Sequence, residues 1–157
     1  MAVTERVVSA PPEKVFAILS DGWTYSDWVV GTTHIRDVDP DFPAVGSRIH
    51  HKAGPWPMSL HDETVVLRCE PPRRLVLRPK LRPLGEMTVA ITLTPDGAGK
   101  TRVTLREDTS GGPLLWVRTK INDLLLHGRN REALRRLADI AEKRGERHES
   151  PGLARQA

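Results

Sequence analysis

Hydrophobic and polar positions follow two different periods along this chain. In "EMTVAITLT", Met87, Val89, Ile91 and Leu93 fall on one side, and in "TRVTLRED", Val103, Leu105 and Glu107 do the same, with Arg102, Thr104 and Arg106 opposite. That two-residue repeat predicts strands. "AVTERVVS" reads as a strand too, and "APPEKVFAILSD" then starts a helix: prolines in its first turn, Glu13 near its positive end, and Val15, Phe16, Ile18 and Leu19 on its buried side. Asp21-Gly22 ends that helix, and Trp23–Trp28 makes one or two further turns. Between 31 and 109, turn signals such as "DPDFPAVG", "CEPPRR" and "TPDGAGK" separate five or six short segments rich in Val, Ile, Leu and Thr, the pattern of an antiparallel meander.

The period then changes to that of a helix. Ser110 is placed to cap it, Pro113 stands in its first turn, and Ile121, Leu124, Leu134, Leu137 and Ala141 recur at helical spacing over about 113–144. Such a helix is roughly 45 Å long and has to lie across the whole sheet. Gly128 interrupts it at a cost of about 1 kcal/mol relative to alanine, which predicts a bend or a close approach to another backbone. A strand, two short helices, a block of strands and a long helix make an α+β fold in which one curved antiparallel sheet wraps the terminal helix.

Length and composition add limits. A chain of 157 residues is most simply one domain, and it buries enough surface to fold without disulfides. The domain is expected over 1–144, with 145–157 a disordered tail poor in large apolar residues. The single Cys69 suits a reducing compartment, charges occupy the start where a signal peptide needs an apolar run, and no stretch is apolar enough for a membrane span. A cytoplasmic protein is the expectation. The net charge of +4 resides in residues 118–157, and 18 of the 24 basic residues are arginine. "GPWPMS" and "DGAGK" lack P-loop spacing and context, and no nucleophile elbow occurs. His50 and His51 are adjacent on a strand and point to opposite faces, so no set of metal ligands is completed. Neither a metal nor another cofactor is expected.

"VVSAPPEKVFAILSDGWTYSDWV" resembles the opening signature of the START-related (SRPBCC) superfamily, in its polyketide cyclase/dehydrase-like branch. "FPAVGSRIH" is similar to that family's Val-Gly turn, "VLRCEPPRRLVLR" to its Pro-Arg hairpin, and "NREALRRLADIAEKR" to its C-terminal helix. The resemblance covers about residues 3–144. It implies a helix-grip fold with an internal cavity between sheet and long helix, and a range of functions from carriers of hydrophobic ligands to aromatases and cyclases.

Strand parity and helix spacing then nominate residues for such a cavity. If Ile49 faces inward, so does His51; Glu107 shares a face with Val103 and Leu105; His127 lies seven positions before Leu134, within about 20° of the same direction. His51, Glu107 and His127 are thus candidates for a general acid/base set. Each has a plainer reading: an exposed strand end for His51, a loop cap or arginine partner for Glu107, a satisfied core histidine for His127. The candidate lining is Ile49, Met58, Leu60, Leu77, Met87, Val89, Ile91, Leu105, Trp116, Ile121 and Leu124, with Trp23, Tyr25 and Trp28 as a wall segment. Trp28 is expected to staple that segment to the sheet, and Trp23 or Tyr25 to face the entrance. The same alternation serves any filled core. Three functions follow: a carrier or sensor of a small hydrophobic ligand (lipid-, polyketide- or isoprenoid-like), a cofactor-independent aromatase/cyclase-like enzyme, or an RNA- or protein-binding module. The last would use the basic stretch at 68–82, where Arg78, Lys80 and Arg82 share a parity; a solvated face is its plainer reading.

Overall fold

A computed structural model of the chain describes residues 2–53, 60–81, 85–110 and 120–148. Strand β1 (Ala2–Val8) leads into helix α1 (Pro12–Leu19), a single 3-10 turn (Gly22–Thr24) and the short helix α2 (Tyr25–Trp28). Six strands follow: β2 (Thr32–Val38), β3 (Arg48–Ala53), β4 (Leu60–Glu70), β5 (Arg74–Leu81), β6 (Gly85–Pro95) and β7 (Thr101–Ser110). Helix α3 (Lys120–His148) closes the order and runs past the expected end at 144. The seven strands form one antiparallel sheet in the order β1-β7-β6-β5-β4-β3-β2. First and last strands are therefore neighbours, and the helices pack on one face.

Local chemistry explains the entry to that face. Pro12 sits at the start of α1 with Glu13 in its first turn, and Val15, Phe16, Ile18 and Leu19 are buried. Asp21 then caps the 3-10 turn by accepting from the Trp23 amide at 3.2 Å, and the buried Thr24 hydroxyl donates to the Asp21 carbonyl at 2.8 Å. Gly22 is required by space: a Cβ there would lie 2.8 Å from a Val38 methyl and 3.2 Å from Ile49 Cγ1. The turn is thereby pressed directly against β2 and β3.

The register aligns Ala2, Glu107, Val89, Leu77 and Val66 in one row across five strands. Nearer the other edge, Ile35, His51 and Asp62 form a second row, and Ile49, Thr64 and Pro79 a third. Residues in one row of an antiparallel sheet share a face. This face holds the core, in which Leu75, Leu77, Ile91, Leu93, Val103 and Leu105 meet Val15, Leu19 and, from α3, Leu134, Leu137, Ala138 and Ala141. The alternation expected for β6 and β7 is thus the observed one.

Helix α3 departs from expectation in its first half. It packs on β1, α1 and α2, and among its residues 124–143, whose burial is described, the first buried one is Asn130. Leu124 is 74% exposed and Leu125 66%, so Leu124 does not line the interior. Gly128 is exposed in continuous helix, and no atom outside the local backbone lies within 4 Å of the position its Cβ would take. Its expected close approach to another backbone is absent. No helix among the described residues is long and apolar enough to cross a membrane.

Candidate functional site

His51 and Glu107 both emerge on the helix-facing side of the sheet, from β3 and β7, and both are buried. They differ in their partners. Glu107 is bound on both oxygens: Arg129 donates to Oε1 at 2.5 Å and the buried Asn130 amide to Oε2 at 3.0 Å. This carboxylate tethers β7 to α3, which is the arginine-pair reading of Glu107. His51 makes one bond, between Nε2 and the Thr64 hydroxyl at 2.9 Å, while its other ring nitrogen, Nδ1, is buried and has no hydrogen-bond partner. Burial first, and then the positive fields of Arg36 and His50, hold the pKa of this imidazole below the ordinary histidine value. A neutral ring at neutral pH follows.

The third candidate stands apart. His127 is exposed on α3, short of the point where that helix becomes covered, so the expected convergence of His51, Glu107 and His127 does not form. Sequence spacing located the face of the helix but not where its neighbours end.

The wall segment divides within the expected alternatives, with Trp23 rather than Tyr25 on the open side. Trp28 is 2% exposed and is a staple, as expected. Tyr25 is buried as well: its hydroxyl donates to the Leu19 carbonyl at 2.7 Å, and its ring meets Trp28 at 4.8 Å and Phe42, edge-on, at 5.9 Å between centroids. Burial pushes its phenol pKa well above the ordinary value, with Cys69 and Asp21 adding to the shift. Tyr25 is therefore part of the packing and does not face an entrance. Trp23, 55% exposed, is the open aromatic of the segment.

Among the proposed lining residues, Ile49, Leu77, Met87, Ile91 and Leu105 are buried and Val89 is half-buried. All six lie on the helix-facing side. Met87 is buried yet stands outside the contiguous core cluster, beyond Val89 on β6. Met58 and Trp116 lie outside the described residues, as do the side chains of Leu60 and Ile121.

Two buried polar residues escaped the sequence reading. Asp62 pairs with His51 in the β3–β4 register, and Thr64 follows it on the same face. The signal was present: the parity that nominated Leu60 also turns Asp62 and Thr64 inward. Arg129 and Asn130 were missed for another reason. Nothing local marks which arginine of an arginine-rich helix meets a carboxylate from a strand.

On the outer face Arg78 and Lys80 of the basic stretch each have a carboxylate beside them. Lys80 bonds Glu63 at 3.0 Å, Arg48 approaches Glu63 at 3.5 Å, and Arg78 lies 3.9 Å from Glu86. The Lys80 hydrogen bond is the main cause that holds the Glu63 carboxyl below its usual pKa. Arg82 lies outside the described residues.

The fold has many solved counterparts. The Zhui aromatase/cyclase from Streptomyces sp. R1128 superposes with a TM-score of 0.71 at 14% identity, over 91% of this chain and 93% of that one. The protein NE0264 from Nitrosomonas europaea gives 0.70 at 18% identity, over 92% and 95%. DynU16, from the dynemicin biosynthetic locus, gives 0.64 at 22% identity, over 90% of this chain and 46% of its own length. At such identities these likenesses establish the fold alone. None of the functionally curated proteins matches in sequence. The family described as "Polyketide cyclase / dehydrase and lipid transport" matches residues 2–142, nearly the whole chain, and the protein belongs to that family.

Proposed function

We propose that the protein binds a small hydrophobic molecule between the sheet and helix α3, as a carrier or sensor, without transforming it. The observation that carries this reading is the buried His51, whose Nδ1 has no partner, on a face it shares with buried Ile49, Leu77, Ile91 and Leu105. A buried polar atom without a partner costs stability, and a ligand group that paired with Nδ1 would relieve that cost. Family membership supports a ligand of lipid, polyketide or isoprenoid type. One or two polar groups in an apolar site suffice to orient such a molecule.

The aromatase/cyclase alternative has the fold of the Zhui enzyme in its favour. Against it, the acid/base trio is not assembled: Glu107 is engaged by Arg129 and Asn130, and His127 is exposed. A module that binds RNA or a protein partner has less support, because carboxylates already pair the described cations of the basic stretch at Arg78 and Lys80.

The test combines native mass spectrometry of protein purified from its own host with a titration of N-phenyl-1-naphthylamine. A co-purified small-molecule mass and saturable fluorescence enhancement are expected. Bare protein mass together with no saturable enhancement would overturn the reading.

A further inference from the structure

Helix α3 also turns a surface outward, away from the sheet. At about 100° of rotation per residue, Leu124, Gly128, Arg131 and Arg135 fall within about 60° of arc, and all four are exposed. Leu125 is exposed beside them. Leu124, at 74%, is the most exposed large hydrophobic residue among the described residues, and Leu125 reaches 66%. Gly128, between the leucines and Arg131, has no side chain to hold the helix off a flat surface.

The charges along this stretch favour cations. Over residues 124–143, Arg129, Arg131, Arg135, Arg136 and Lys143 stand against Glu132, Asp139 and Glu142. All three carboxylates are engaged: Glu132 by Arg135 and Arg136, Asp139 by Arg135, and Glu142 by the Ser9 amide. The exposed Arg131 makes no ion pair among the described residues. An anionic lipid surface complements both parts of the pattern, with leucines entering the acyl boundary and arginines meeting headgroup phosphates. A second copy of the stripe would instead set the same cations against one another.

We propose that Leu124, Leu125 and Arg131, with Arg135 behind them, dock α3 on an anionic lipid surface as a peripheral contact. The stripe lies outside the space between sheet and helix, so the docking stands or falls separately from ligand binding.

Vesicle co-sedimentation of the full chain tests this, with vesicles of phosphatidylglycerol and phosphatidylcholine in equal parts and of phosphatidylcholine alone. Wild type should bind the anionic vesicles about tenfold or more tighter than the neutral ones, and less tightly as salt rises. The double variant Leu124→Glu, Leu125→Glu should bind about tenfold or more weakly, and Arg131→Glu about fivefold or more weakly. Both should melt close to wild type, because the substituted side chains are exposed. N-phenyl-1-naphthylamine, titrated without vesicles, should bind both variants as it binds wild type, which keeps the chamber's test separate. Wild type that does not sediment with anionic vesicles overturns the docking, and so does undiminished binding by the folded double variant. Equal binding to neutral vesicles overturns the role of the arginines. A wild-type dimer in light scattering that the double variant splits assigns the stripe to a second copy and overturns the lipid surface.

Discussion

The Asn130 side-chain amide donates to Glu107 Oε2 across 3.0 Å, in the interior, and joins the middle of the long helix to the strand beside β1. Arg129 completes the clamp from its half-buried position. Glu107→Ala removes the shared acceptor and strands the Asn130 amide. The expected loss is about 2–3 kcal/mol of unfolding free energy, at the lower end for a buried pair because Arg129 reaches solvent. Urea denaturation measures it; a loss below about 0.5 kcal/mol would show that the clamp carries no stability.

Tyr25→Phe separates packing from ligand contact. The variant keeps both ring contacts and leaves the Leu19 carbonyl without its donor. It should unfold about 2–8 °C below wild type, for a cost of about 1–2 kcal/mol. N-phenyl-1-naphthylamine should bind it unchanged. Altered binding at unaltered stability would return Tyr25 to the entrance.

Two glycines respond to alanine with opposite signs. Gly22→Ala places a methyl 2.8 Å from Val38 and should destabilise by about 1–3 kcal/mol through overpacking. Gly128→Ala meets open space in mid-helix and should stabilise by about 0.5–1 kcal/mol. Calorimetric melting of the two variants reads both. A destabilised Gly128→Ala would contradict the open space around this position.

His51 predicts a pH dependence. Its pKa is lower in the fold than the ordinary 6.5 of the unfolded chain. As pH falls through that value, the unfolded chain takes up a proton that the fold resists, so stability present above it is progressively lost below it. His51→Asn lacks this term. Between about pH 7.5 and 5.5, a window that spans the ordinary histidine value, the wild-type urea midpoint should fall relative to that of the variant. Parallel profiles would contradict a neutral, buried His51.

How far the sequence could be read depended on the range of each interaction. The faces of β6 and β7 followed from strict alternation, because a strand's own pleat dictates them. The Trp23–Trp28 turns followed from Asp21-Gly22 and its local capping. Asp62 was equally legible by parity, yet a charged residue amid "LHDETVV" reads first as outward-facing. His127 and Leu124 failed because periodicity gives direction around a helix axis and not the length over which neighbours cover it. The choice of Arg129 and Asn130 for Glu107 joins residues of different elements, and only the assembled interface selects them.

The sheet order also bears on how the chain is made. Strand β1 leaves the ribosome well before its pairing partner β7, which lies roughly a hundred residues further on, so the contact is among the least local in the chain. Until β7 is synthesised, Val3 and Val7 have no strand beside them, and a nascent hydrophobic strand waits with its backbone unpaired. Synthesis of β7 is therefore the earliest moment at which the sheet can be completed, and α3, made after it, can be gripped only later.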